Sequence, residues 1–271
     1  MTRNIAFIGG GNMAGAIIGG LIKQGTPASS IQVVEPFTAT AESLHAKTGV
    51  KVFAQAGDFL QSADLVVWAV KPQSFKEAAQ PVAPHTPNAL HLSVAAGIPS
   101  ASIARWLGTE RVVRSMPNTP ALVGLGVTGL FARAGVNQED RLWVDSVAAT
   151  MGQSIWVTDE SQLDAVTAVS GSGPAYVFYF IEALMAAAQD MGLDAEQSRT
   201  LAIETFYGAS TLARTSTEAP GVLRERVTSK GGTTFAALSS MNAQGLQQGF
   251  IQAVKAARVR AQELGEEFGA N

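Results

Sequence analysis

Two stretches of the chain carry residue types and spacings that could do chemistry. In IAFIGGGNMAGAII, Gly9, Gly11 and Ala14 stand in Gly-x-Gly-x-x-Ala order, directly after an apolar run and at the start of a helical pattern. Gly9 permits a tight turn, Gly11 lets the backbone approach a pyrophosphate, and Ala14 allows close helix–strand packing, while the helix start offers free N–H groups. Strand, glycine turn, helix and second strand follow one another as a dinucleotide site requires. In TSKGGTT, residues 228–234, four hydroxyl side chains, a lysine and two adjacent glycines precede another helical run. That stretch is either a plain turn before a helix or a backbone cradle for an anion.

The second strand, IQVVE, ends in Glu35. A carboxylate there accepts hydrogen bonds from adenosine ribose hydroxyls and repels a 2′-phosphate. The other reading is a solvated strand-end glutamate, turned away by the loop that Pro36 begins. No Lys or Arg stands in the following PFTATAESLHA (36–46), although Thr38 and Thr40 could serve a phosphate. The expected cofactor is NADPH or NADH, with NADH used at least as well. Two later strands end at AVKPQ (69–73) and SVAAGIP (93–99). Ligands of open parallel sheets sit beyond such carboxyl ends; otherwise each loop is a turn shaped by proline or glycine.

Familiar catalytic apparatus is absent. His45 falls in a helical pattern, His85 in a proline-rich loop and His91 within a strand, and each reads as structural or solvated. No metal-ligand spacing occurs, so no metal is expected. The Gly-Ser-Gly at 171–173 lacks the nucleophile-elbow pattern, and SKGGT lacks phosphate-loop spacing. There is no cysteine, which removes thiol and disulfide chemistry. A net charge of −3 without a basic block argues against nucleic acid as a partner. The apolar run IAFI is too short for a signal segment, and no stretch is long enough to span a bilayer, so the expected location is the cytoplasm with no membrane partner.

The elements that must position these residues divide the 271-residue chain in two. IAFI, IQVV, DLVVWAV, LHLSV and RVVRS read as strands alternating with helical patterns. Their continuous apolar character suits strands covered on both faces, hence a doubly wound α/β domain with a parallel sheet. After about Asp159 the patterns are helical. The expected domains are residues 1–158, a Rossmann-type dinucleotide-binding domain, and residues 159–271, an all-α domain. Tyr176, Phe178, Tyr179, Phe180 and Met185 are too apolar for a solvated surface and read first as core; a small helical domain lacks the volume to bury so much, which adds a partner subunit as the second reading.

IGGGNMA, VKPQ, AAGIP, RSMPNTPALVGLG, AVSGSGPAYVF and LRERVTSKGGTTFAAL occur in the order and spacing of the pyrroline-5-carboxylate reductases. The chain resembles that family over essentially its whole length, and MPNTP, SGSGPAY and TSKGGTT together look specific to it. The resemblance implies NAD(P)H-dependent reduction of 1-pyrroline-5-carboxylate to L-proline by a homodimer, or a ring built from dimers, joined through the helical half. It implies cofactor contacts from Gly9, Gly10, Gly11, Asn12 and Met13, from Glu35, from Ala69, Val70, Lys71 and Pro72, and from Ala95, Ala96 and Gly97. The substrate carboxylate would lie on the backbone N–H groups of Gly232, Thr233 and Thr234, beside Gly231, with Glu218 also at the substrate. The Thr234 hydroxyl would be the catalytic group, near the ring nitrogen. Similar reductases commonly have proline where this chain has Lys230, so the loop is less pre-set here, and Lys230 is expected to face solvent.

That chemistry accounts for the missing acid. If the imine nitrogen is already protonated, hydride addition yields the neutral amine, and positioning carries most of the catalysis. A β-hydroxyacid dehydrogenase shares the two-part pattern but needs a base, and neither Lys230 nor Lys255 is suitably placed. A non-catalytic dinucleotide sensor would leave the 231–234 loop without a small-molecule role.

Overall fold

The computed structural model describes residues 3–269. Strand β1 (Ile5–Ile8) leads through the glycine turn into α1 (Asn12–Lys23), and β2 (Ile31–Val34) leads to α2 (Thr38–Thr48) and β3 (Lys51–Phe53). Next come β4 (Leu65–Trp68), α3 (Phe75–Val82), β5 (Leu90–Ser93), α4 (Ser100–Leu107), β6 (Val112–Met116) and β7 (Gly126–Ala132). α5 (Gln138–Ala148) and β8 (Gly152–Trp156) complete the sheet. The helices α6 (Gln162–Val166), α7 (Gly173–Asp190), α8 (Ala195–Thr215), α9 (Pro220–Arg226), α10 (Thr233–Ala243) and α11 (Leu246–Gly269) follow.

The strands form one sheet in the order β3-β2-β1-β4-β5-β6-β7-β8. It is parallel from β3 to β6, with Ile5 opposite both Ile31 and Leu65. β7 then returns antiparallel to β6, and β8 runs parallel to β7. The parallel sheet expected from the sequence is present from β3 to β6, and the antiparallel return of β7 is an addition at its edge. A short loop suffices for an antiparallel return, whereas a parallel one needs a longer crossover. The Asn118 side chain holds the corner by accepting the Val127 N–H at 2.9 Å.

Alternation along each strand sorts the core into two layers. Ile5 and Phe7 of β1 face α1, α2 and α5, where they meet Ile17, Ile18, Leu44 and Val144. Ala6 and Ile8 face α3 and α4, where they meet Phe75, Ile103 and Leu107. Phe7 and Trp68 are fully buried, each such side chain contributing about 1.5–3 kcal/mol. This burial on both faces makes the central strands read as continuous apolar runs.

The described residues cluster into two compact units. One takes in everything up to Ser172 and everything from Ala257 onward; the other is Gly173–Ala256. The edge of the first unit thus lies beyond the 158/159 division expected from the change of pattern. Leu163 and Ala168 are buried, and a Cβ on Gly129 of β7 would meet Val166 and Leu163, so α6 belongs with the sheet. The last turns of α11 also belong to this unit, through Phe268 in the layer of α3 and α4.

Candidate active site

The sheet order reverses between β1 and β4, which start neighbouring connections in opposite directions, and ligands bind at such a switch point. The loops after these two strands meet there. Gly9 has φ +95°, and a Cβ on it would lie 2.5 Å from the Ala69 carbonyl oxygen. The Ala69 N–H in turn donates to the Ile8 carbonyl at 2.8 Å. Gly11 is the N-cap of α1 without a side-chain cap, and a Cβ there would find nothing within 4 Å. The first N–H groups of α1, at Asn12 and Met13, therefore start a helix that no side chain caps. This cradle fits the pyrophosphate of a dinucleotide.

Glu35 is neither solvated nor turned away: it is 6% exposed. One carboxylate oxygen accepts the Gly10 N–H at 2.8 Å and the other accepts the Phe37 N–H at 2.9 Å. A Cβ on Gly10 would sit 3.2 Å from the Glu35 side chain, so close packing and two hydrogen bonds tie the end of β2 to the glycine turn. A carboxylate has about four lone-pair positions, which leaves acceptor capacity for a ribose hydroxyl.

The loop after β5 keeps Ala95 and Ile98 buried and exposes Ala96. The Ala95 N–H donates to Ser93 Oγ at 3.3 Å, and Ser115 Oγ donates to the Ser93 carbonyl at 2.7 Å. In the loop after β4, Val70 and Pro72 are half-buried and Lys71 is exposed.

In the other unit, Gly231 takes φ +74°, and Gly232 caps α10 without any side-chain cap. The Gly232 N–H is already used, donating to the Ser229 carbonyl at 3.0 Å. Of the three donors expected for a carboxylate, Thr233 and Thr234 are therefore the better placed. Lys230 is exposed. Glu218 pairs with Arg226 at 2.6 Å, so its charge is already partly answered.

Among the described residues no group of three His, Asp or Glu could hold a metal ion. His91 is buried in β5, where Trp68 Nε1–H donates to its Nδ1 at 3.1 Å. Burial lowers its pKa to about 4, the Thr86 backbone opposing and the Arg111 charge adding. It is a neutral core group.

Sequence reasoning passed over Asn118, Glu160 and the π-helical turn Thr167–Gly171. Asn118 Nδ2 donates to the Ser170 carbonyl at 3.2 Å, tying the MPNTP and SGSG motifs together. Their order along the chain was a signal; their contact was not.

A doubly wound sheet with a glycine cradle at its switch point, joined to a helical half, defines a dinucleotide-binding oxidoreductase. Residues 160–264 match the family model described as pyrroline-5-carboxylate reductase dimerisation, and residues 4–97 match NADP oxidoreductase coenzyme F420-dependent. The chain is 43% identical to the pyrroline-5-carboxylate reductase of Pseudomonas aeruginosa, covering 99% of both chains. It is 36% identical to that of Arabidopsis thaliana, covering 97% of this chain and 95% of that one. Its fold overlays the Coxiella burnetii enzyme with a TM-score of 0.92 at 38% identity, covering 97% and 99% of the two chains. The Plasmodium falciparum enzyme, solved with NADP bound, gives 0.85 at 27% identity, covering 97% and 98%. This chain belongs to the pyrroline-5-carboxylate reductase family.

Proposed function

We propose that the chain reduces 1-pyrroline-5-carboxylate to L-proline, with NADPH or NADH as donor. Supporting this is the pairing of two uncapped, glycine-preceded helix starts, α1 for a pyrophosphate and α10 for a carboxylate, within a chain carrying the family's motifs throughout. Gly9, Gly10, Gly11, Asn12 and Met13 receive the pyrophosphate, and the loops 69–72 and 95–97 flank the rest of the cofactor. The Thr233 and Thr234 N–H groups anchor the substrate carboxylate, where the helix dipole favours an anion. The Thr234 hydroxyl hydrogen-bonds the ring nitrogen and sets the face of the imine. When bound, the reduced nicotinamide supplies the hydride. No enzyme acid is required if the iminium arrives protonated, so orientation is the chain's main contribution. Residues 1–158, with α6 and the last turns of α11 packed on them, act as the cofactor half, and the remaining helices as the substrate and dimerisation half.

Phe178, Tyr179, Tyr207 and Leu212 are each at least 60% exposed in the single chain, which supports a homodimer or a ring of dimers through the helical half. Among the described residues no helix is long and apolar enough to cross a membrane, in keeping with a cytoplasmic enzyme. Cofactor oxidation is followed with pyrroline-5-carboxylate, with a 3-keto acid and with neither. Oxidation with the first alone is expected; oxidation only with the keto acid, or with none, overturns the reading. Sedimentation at micromolar concentration is expected to give a dimer or larger, and a fully active monomer would refute self-association.

A further inference from the structure

The loop after β5 is braced from behind by residues distant in sequence. α4 begins at Pro99 with no capping side chain of its own. Glu160 takes that place: its carboxylate accepts the Ser100 N–H at 2.6 Å and the Ser100 hydroxyl at 2.5 Å. A negative charge at a helix start is stabilising. Arg114 is almost fully buried and donates to the same carboxylate at 3.0 Å, while Arg133 donates to Ser100 Oγ at 3.2 Å. The last turn of α11 forms the second brace. A Cβ on Gly97 would lie 3.2 Å from the Phe268 ring and 3.5 Å from Leu264, and Ser102 Oγ donates to the Gly269 carbonyl at 3.0 Å.

Between these braces the loop has little freedom. Gly97 at φ +76° lies directly against Phe268, Ile98 is fully buried, and Ser100 is held at both N–H and hydroxyl. Ala96 is left as the exposed tip. We propose that Phe268 and Glu160 are positioning residues for the cofactor, holding the 95–97 loop in its receiving conformation from the side away from the nucleotide cradle's own elements. The inference rests on the reading that this loop touches the cofactor.

The test uses the full-length protein with three variants. Binding of reduced nicotinamide cofactor is measured by fluorescence without imine, alongside the KM of each substrate and the melting temperature. A loop competent about a fifth of the time weakens apparent cofactor affinity about fivefold. Phe268→Ala and Glu160→Gln are expected to raise cofactor Kd and KM by about that factor, with the imine KM and kcat little changed. Ala96→Glu, at the exposed tip, is expected to weaken cofactor binding by putting a bulky charged side chain where the loop meets the cofactor. If Ala96→Glu has no effect, the loop does not touch the cofactor and the inference falls with that reading. If Ala96→Glu weakens binding while Phe268→Ala lowers only the melting temperature, the loop reading stands and the bracing role is refuted. Glu160→Gln leaves Arg114 short of a charged partner; should it fail to fold, Phe268→Ala decides.

Discussion

Glu35→Gln tests the glycine turn and the cofactor choice together. The wild-type carboxylate accepts two backbone N–H groups, from Gly10 and Phe37, and the Gly10 bond is buried. A glutamine keeps the shape but has one acceptor oxygen, so its NH2 faces the other backbone donor. Leaving one buried donor unpaired costs about 1–3 kcal/mol, and the remaining bond loses its charge assistance. The sum is about 2–4 kcal/mol, which for a chain of this size lowers the melting temperature of the cofactor-free protein by about 4–7 °C. The substitution also removes a charge from the end of β2. At about 7 Å and an effective dielectric of about 20, two unit charges repel by about 2 kcal/mol. After salt screening, about a tenfold rise in the NADPH-to-NADH ratio of kcat/KM is expected. Differential scanning calorimetry and initial rates with both cofactors provide the readouts. Unchanged melting and an unchanged ratio would refute both arguments. A lower melting temperature with a constant ratio would keep Glu35 as the tie of the glycine turn and remove it from the ribose.

Thr234→Val and Thr234→Ala are expected to reduce kcat at least tenfold while changing stability by no more than about 0.5 kcal/mol, since no side chain caps α10; wild-type kinetics in both would remove the hydroxyl from the imine nitrogen. Gly9→Ala places a Cβ 2.5 Å from the Ala69 oxygen at φ +95°, so it should cost about 1–3 kcal/mol or more and abolish tight cofactor binding. A normal melting temperature and Kd would show that the turn is not constrained. His91 has a folded pKa of about 4 against an unfolded 6.5. The unfolded chain therefore takes up the proton first, and stability present above pH 6.5 falls as pH drops toward 4, by about 3 kcal/mol. Denaturant unfolding across that range should show the loss in wild type and a flatter profile in His91→Gln; parallel profiles would contradict it.

The glycine turn before α1 was legible in the sequence because its determinants are local. A glycine needed at positive φ, an open N-cap at Gly11 and the periodicity of α1 all lie within a few residues, and β1, β2, β4, β5 and β6 stand out because both their faces are buried. The α10 start was legible for the same reason, since glycines and threonines before a helical run mark an uncapped helix start. β3, β7 and β8 were not: β3 is only three residues, β8 alternates between half-buried and exposed positions, and the covered β7 carries two glycines and a threonine, so none shows a continuous apolar run. Nor could spacing show that Glu35 folds back onto Gly10, that Gly232 spends its N–H on Ser229, or that Asn118 joins two motifs. Each is a hydrogen bond set by where the chain returns in space. Glu160 and Phe268 carry this furthest. In the sequence they are an unremarkable glutamate and a phenylalanine near the end of a helix, and only the folded sheet brings the one to the start of α4 and the other against Gly97.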